Sequence, residues 1–292
     1  LDGRPIAVTG ADDHTVRVWD LTAGVRLGDP LTGHTDWVRA VACATLDGRP
    51  IAVTGASDHT VRIWDLTAGV QLGDPLTGHT GWVNAVACAT LDGRPIAVTG
   101  ADDHTVRVWD LTAGVQLGDP LTGHTDWVLA VACATLDGRP IAVTGTSDHS
   151  VRVWDLTTRR QLGDPLTGHT GRVNAAACAT LDGRPIAVTG ADDHTVRVWD
   201  LTAGVQLGDP LTGHTDWVNA VACATLDGRP IAVTGTSDNS VRVWDLTTRT
   251  CVDRIPLPAA CAALGLGPGG RLFAGFDRDV ALLIRKSSRS IA

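Results

Sequence analysis

The sequence predicts an all-β fold, a seven-bladed β-propeller of four-stranded antiparallel blades, and three observations carry that expectation. The pentapeptide LDGRP recurs at Leu1, Leu46, Leu91, Leu136, Leu181 and Leu226, a period of 45 residues without insertions. Gly-His and Trp-Asp pairs return within that period, and about 40–45 residues carrying such pairs make one propeller blade. The composition leaves little for helices. There is no Glu, Met or Tyr and one Lys beside 23 Arg, whereas Val, Thr, Ile and Trp are plentiful.

Gly and Pro punctuation divides each period into four short strands. In the second unit these are Val38–Thr45, Pro50–Thr54, Thr60–Trp64 and Val70–Leu76. The first connector contains Asp47-Gly48, a hairpin signal between two apolar runs. The others are Ala56-Ser57-Asp58-His59, Leu66-Thr67-Ala68-Gly69 and Thr77-Gly78-His79-Thr80. Segments such as AVACA and IAVT are apolar or small on both faces. A blade held between two neighbours buries both faces, so the pattern fits radial stacking better than an open sheet.

Seven full periods would need 315 residues, 23 more than the 292 present. The shortfall sits at the two ends. The first unit begins at its second strand, without an inner strand or a Gly-His. The last blade, about 259–286, has three degenerate strands near Ala260–Leu266, Arg271–Phe276 and Val280–Arg285, and no outer one. The whole chain, 1–292, reads as a single propeller domain, expected to be the C-terminal part of a longer polypeptide. An upstream segment would then complete the ring; the alternative is a gapped ring or another strand donor.

A second period lies within the first. Residues 91–159 and 181–249 match except at Leu129/Asn219 and His149/Asn239. The residue before the turn Asp alternates Asp12, Ser57, Asp102, Ser147, Asp192 and Ser237, so the duplicated unit was two blades.

With Gly-His at His34, His79, His124, His169 and His214, and Trp-Asp at Trp19, Trp64, Trp109, Trp154, Trp199 and Trp244, the chain resembles a WD-repeat β-propeller, of the bacterial kind with near-identical blades. The resemblance implies a His–Thr–Asp–Trp tetrad in each complete unit. These are His34, Thr54, Asp58 and Trp64; His79, Thr99, Asp103 and Trp109; and His124, Thr144, Asp148 and Trp154. The fifth and sixth units add His169, Thr189, Asp193 and Trp199, then His214, Thr234, Asp238 and Trp244. The first unit supplies only Thr9, Asp13 and Trp19. Physically, an acceptor-only carboxylate holds an imidazole N–H, the ring meets the Thr hydroxyl, and that hydroxyl meets the indole N–H.

A net charge of -8 argues against nucleic acid, which needs a concentrated basic surface. No apolar run is long enough to span a membrane and no signal peptide is visible, so a cytoplasmic location is expected. Cys43, Cys88, Cys133, Cys178 and Cys223 occupy one repeated position in apolar strands and read as small buried hydrophobes rather than metal ligands, since no CxxC pair accompanies them. No cofactor is expected.

Asp12-Asp13-His14 and its copies suggest either an acid/base or metal site, or turn chemistry. Consecutive residues of a tight turn splay apart, and His149 becomes Asn239, so the turn reading is preferred. No unit holds a unique nucleophile beside a base, so catalysis is not expected. The alternative is a metal- or small-ligand-binding propeller, or a propeller enzyme, using these turns. The resemblance implies instead that the face carrying the Gly-His loops and Asp-His turns binds a protein or peptide, as a recruiting or sensing platform, with fusion to a kinase or nucleotide-hydrolysing domain as an analogy. Candidate contacts are Trp37, Trp82, Trp127, Arg172 and Trp217, and the variable Arg39, Asn84, Leu129, Asn174 and Asn219. The Trp residues are expected to pack between blades, with exposure to a partner as the other possibility.

Overall fold

The computed structural model describes residues 1, 3–267, 271–276 and 279–283. They form seven antiparallel sheets in chain order and no helix, so no helix there is long and apolar enough to cross a membrane. Blades two to six each have four strands; blades one and seven have three among the described residues. In blade two the strands run Val38–Leu46, Arg49–Ala56, Val61–Asp65 and Val70–Leu76, from the axis outwards. The first two exceed their expected lengths because Leu46 still pairs with Arg49 across the Asp47-Gly48 turn. Both turn residues have positive φ, 49° and 76°, the geometry that matches a right-twisted hairpin.

The hydrophobic core lies between blades rather than within them. Ile96, Val98, Val106 and Val108 of blade three pack against Val128, Ala142, Trp154 and Leu156 of blade four. The same arrangement joins blades two and three, four and five, and five and six. This explains the doubly apolar strands. The Gly of each VTG segment belongs to the same packing: a Cβ on Gly55 would stand 2.5 Å from Val83 Cγ1 of the next blade. Close approach of the backbone to a neighbour requires glycine there.

Blade one consists of Ile6–Gly10, Val16–Asp20 and Val25–Leu31, and blade seven of Cys261–Gly267, Arg271–Phe276 and Asp279–Leu283. The last strand therefore starts one residue earlier than expected, and residues 284–286 lie outside the described residues. The repeated cysteines are less buried than expected: Cys88, Cys133, Cys178 and Cys223 are half-buried and Cys43 is exposed. They lie on the inner edge strand, which no further strand covers. Cys88 and Cys133 pack towards the preceding blade, and Cys43 has only the three-stranded blade one in that direction. Burial still pushes the Cys88, Cys178 and Cys223 thiols up to about 12, so they stay protonated at neutral pH.

Candidate interaction face

Each Asp-His turn locks itself before it holds anything else. In blade two, Asp58 Oδ1 accepts the Thr60 amide at 3.0 Å and the Thr60 hydroxyl at 2.7 Å. His59 sits at φ 66° and its counterpart Asn239 at φ 58°. Left-handed backbone favours Asn, Asp and His among non-glycine residues, which accounts for the exchange of His149 for Asn239. The imidazole of this turn is therefore placed by conformation, and His59, His104, His149 and His194 are exposed.

The second carboxylate oxygen reaches the Gly-His loop. Asp58 Oδ2 accepts the His34 Nδ1–H at 2.8 Å and the Thr35 amide at 3.0 Å. The Thr54 hydroxyl lies 2.8 Å from His34 Nε2 and accepts the Trp64 Nε1–H at 2.8 Å. The indole only donates and the carboxylate only accepts, so the Thr54 hydroxyl receives the indole N–H and the proton between His34 and Asp58 sits on Nδ1. Blade three repeats this with His79, Thr99, Asp103 and Trp109, and blade five with His169, Thr189, Asp193 and Trp199, all at 2.8–2.9 Å. In blade six, His214 stands 3.2 Å from Asp238 and 2.7 Å from Thr234, and Trp244 is 2.8 Å from the same hydroxyl. Burial would raise the Asp58, Asp103 and Asp193 carboxyls, but the bonds from His and Thr overcome it and hold them well below the usual range. Burial lowers His79, His124 and His214, the last to about 4, against the opposing pull of their Asp partners.

Blade four is looser. Thr144 lies 2.6 Å from His124 Nε2 and accepts Trp154 at 2.8 Å, but Asp148 Oδ2 is 3.6 Å from His124 Nδ1. That nitrogen has no hydrogen-bond partner, because Oδ2 is taken by the amide and hydroxyl of Thr125. In blade one, Asp13 instead accepts Arg17 and Thr15, and Trp19 donates to Thr9 at 2.9 Å.

These bonds present the Gly-His loop at one end of the propeller. Trp37, Trp82, Trp127 and Trp217 stand there 46%, 42%, 39% and 54% exposed, rather than packed between blades as expected. The next residue decides this: Val38, Val83, Val128 and Val218 are buried against the preceding blade, and alternation along the strand turns the Trp outward. Arg172 takes the fifth position and is also exposed.

The variable positions point partly inward. Arg39 Nε donates to Ser57 Oγ at 2.7 Å. Asn84 and Asn174 donate at 2.6 Å to Asp102 and Asp192, and Asn219 at 2.9 Å to Ser237. Leu129 cannot donate, and Ser147 Oγ beside it is buried without a partner. The two-blade alternation is coupled here: loop Asp accompanies turn Ser, and loop Gly accompanies turn Asp. A Cβ on Gly81 or Gly171 would stand 2.7 or 2.6 Å from the backbone nitrogen of Asp103 or Asp193, so the backbone itself approaches closely there.

Sequence reading did not find the Arg–Trp stacks across this face. The Arg39 guanidinium lies 4.2 Å from the Trp82 ring centre and 5.8 Å from that of Trp37, and Arg172 lies 5.4 Å from Trp127. The spacing of one repeat between Arg172 and Trp127 was the available signal. Among the described residues no three His, Cys, Asp or Glu side chains converge as metal ligands. A shallow groove between blades two and three, lined by Arg49, Asp74 and Leu111, opens near the opposite end.

Seven radially packed sheets with repeated His–Thr–Asp–Trp networks define a β-propeller of the WD type. The WD domain, G-beta repeat family matches residues 2–20, 26–65, 70–110, 115–155, 160–200 and 205–245, and the chain belongs to that family. Comparison with curated proteins gives no match.

Proposed function

We propose that this propeller is a non-catalytic recognition platform whose Gly-His face binds a protein or peptide partner. Family members in general mediate protein–protein interaction. The observation that carries the reading for this chain is the row of four exposed indoles with Arg39 and Arg172 on a single face. Trp and Arg are the usual anchors of interfaces, and large aromatics are costly to leave in water without use. By contrast, Trp64, Trp109, Trp154, Trp199 and Trp244 are 1–2% exposed and serve the tetrads.

The test is capture of partners from cell extract by wild type, Trp37→Ala/Trp127→Ala and Arg49→Ala/Arg94→Ala, the last pair lying at the opposite end. Loss of the same partner with the first variant only is expected. Retention by the first variant would remove this face as the binding surface.

A further inference from the structure

The indoles on the face are not equivalent, and the difference shows what one of them lacks. Trp37, Trp82 and Trp127 each have a guanidinium of this same chain over the ring. Among the described residues none covers Trp217, which is also the most exposed of the four.

The closest counterpart of Trp217 is Trp127, two blades earlier. Both follow an Asp that accepts the Trp amide at 2.8 Å, Asp126 and Asp216. Beside each lies the same polar seam. Asn84 links Asp102 Oδ1 at 2.6 Å to the Val128 carbonyl at 3.2 Å; Asn174 links Asp192 Oδ1 at 2.6 Å to the Val218 carbonyl at 3.4 Å. The two sites differ in what comes one repeat later. Arg172 stacks on Trp127 and directly precedes Val173, which packs on Gly145; in the last blade Cys261 packs on Gly235 in the same way, and the residue before it is Ala260, which is exposed.

Resting on the interaction reading above, we propose that the Trp217 site takes an arginine side chain of the partner, filling the place that Arg172 fills at Trp127. A guanidinium stacks on an indole face and keeps its N–H groups for neighbouring carboxylates. Asp216 precedes the ring and Asp192 is one amide side chain away from the Val218 backbone, so acceptors flank the open face. The net charge of -8 favours the approach of a basic segment.

The experiment titrates acetyl-Gly-Arg-Gly-amide into the chain at low salt, following the tryptophan indole N–H resonances by NMR. The Trp217 signal is assigned by its loss in Trp217→Phe. The citrulline peptide, the same shape without charge, is the control, and Ala260→Arg supplies an internal guanidinium at an exposed position. The arginine peptide is expected to move the Trp217 signal with at least about fivefold tighter binding than citrulline, and Ala260→Arg should abolish the response. An unmoved Trp217 signal, an equal response to citrulline, or a response that survives Ala260→Arg each overturns the proposal. If the peptide fails while partner capture still depends on Trp37 and Trp127, the interaction face stands and only its arginine site falls. If the peptide binds but capture ignores the face, the converse holds.

Discussion

Blades one and two carry almost the same cassette, IAVTGADDHTVRVWD and IAVTGASDHTVRIWD, yet their interiors differ. Ile51, Ala52, Val53 and Thr54 are completely buried and Trp64 is 1% exposed. Ile6, Ala7, Val8, Thr9 and Trp19 are only half-buried. Blade two has the inner strand Val38–Leu46 and the imidazole of His34; blade one has three strands and no such imidazole. The local parts survive without them, including the Asx turn and the Trp19–Thr9 bond. Asp13 changes partner: the Arg17 guanidinium, then the Thr15 hydroxyl, hold its carboxyl down to about 2. Arg17 is free to do so because Arg26 occupies the position from which Gln71 receives Arg62 in blade two. Burial and tetrad closure are thus supplied by the neighbouring element, and the cassette supplies the turn.

The sharpest way to break this comparison is at the tryptophans. Trp64→Ala should cost about 3–5 kcal/mol, and Trp19→Ala no more than about half of that, read from chemical denaturation. Equal losses would show that the surrounding strands do not set the difference.

Acid should separate complete tetrads from the partial one next. The imidazoles of His79, His124 and His214 are neutral when folded, with values lowered by burial, His214 to about 4. An unfolded His titrates near about 6.5, so the unfolded chain binds more protons below that pH and stability falls as pH drops from about 6.5 towards about 4. The depressed tetrad carboxyls, Asp58, Asp103 and Asp193, add a further loss below about 3.9, where unfolded Asp protonates first. Hydrogen exchange should show blades three, four and six loosening over the first interval and blade one unchanged. Uniform loosening across all blades would contradict that assignment.

A smaller effect is expected from the turn carboxylate. Asp103→Ala leaves the buried His79 Nδ1 without an acceptor and should cost about 1–3 kcal/mol. Asp13→Ala, on an exposed turn, should stay within about 0.5 kcal/mol. The smallest is a gain: Leu129→Asn gives the orphaned Ser147 hydroxyl the partner that Ser237 has in Asn219, worth about 1 kcal/mol in thermal or chemical denaturation.

Much of this molecule was legible in its sequence because its elements are short-range. Period, turn chemistry and strand spacing follow from Asp-Gly pairs, Pro and alternation, and the tetrad residues come together because identical units place them at fixed offsets. The exposure of Trp37, Trp82, Trp127 and Trp217 was not legible. Whether an indole points inward depends on the adjacent Val docking on the blade before it, a contact between units that periodicity does not rank. The same holds for Cys43, exposed although its copies are half-buried, and for Trp19, half-buried although its copies are covered. By itself the sequence determined the repeat, its strands and turns, and the chemistry of each cassette. Only the tertiary structure decided which copies are buried and which indoles carry an arginine, because burial and stacking belong to pairs of neighbouring blades.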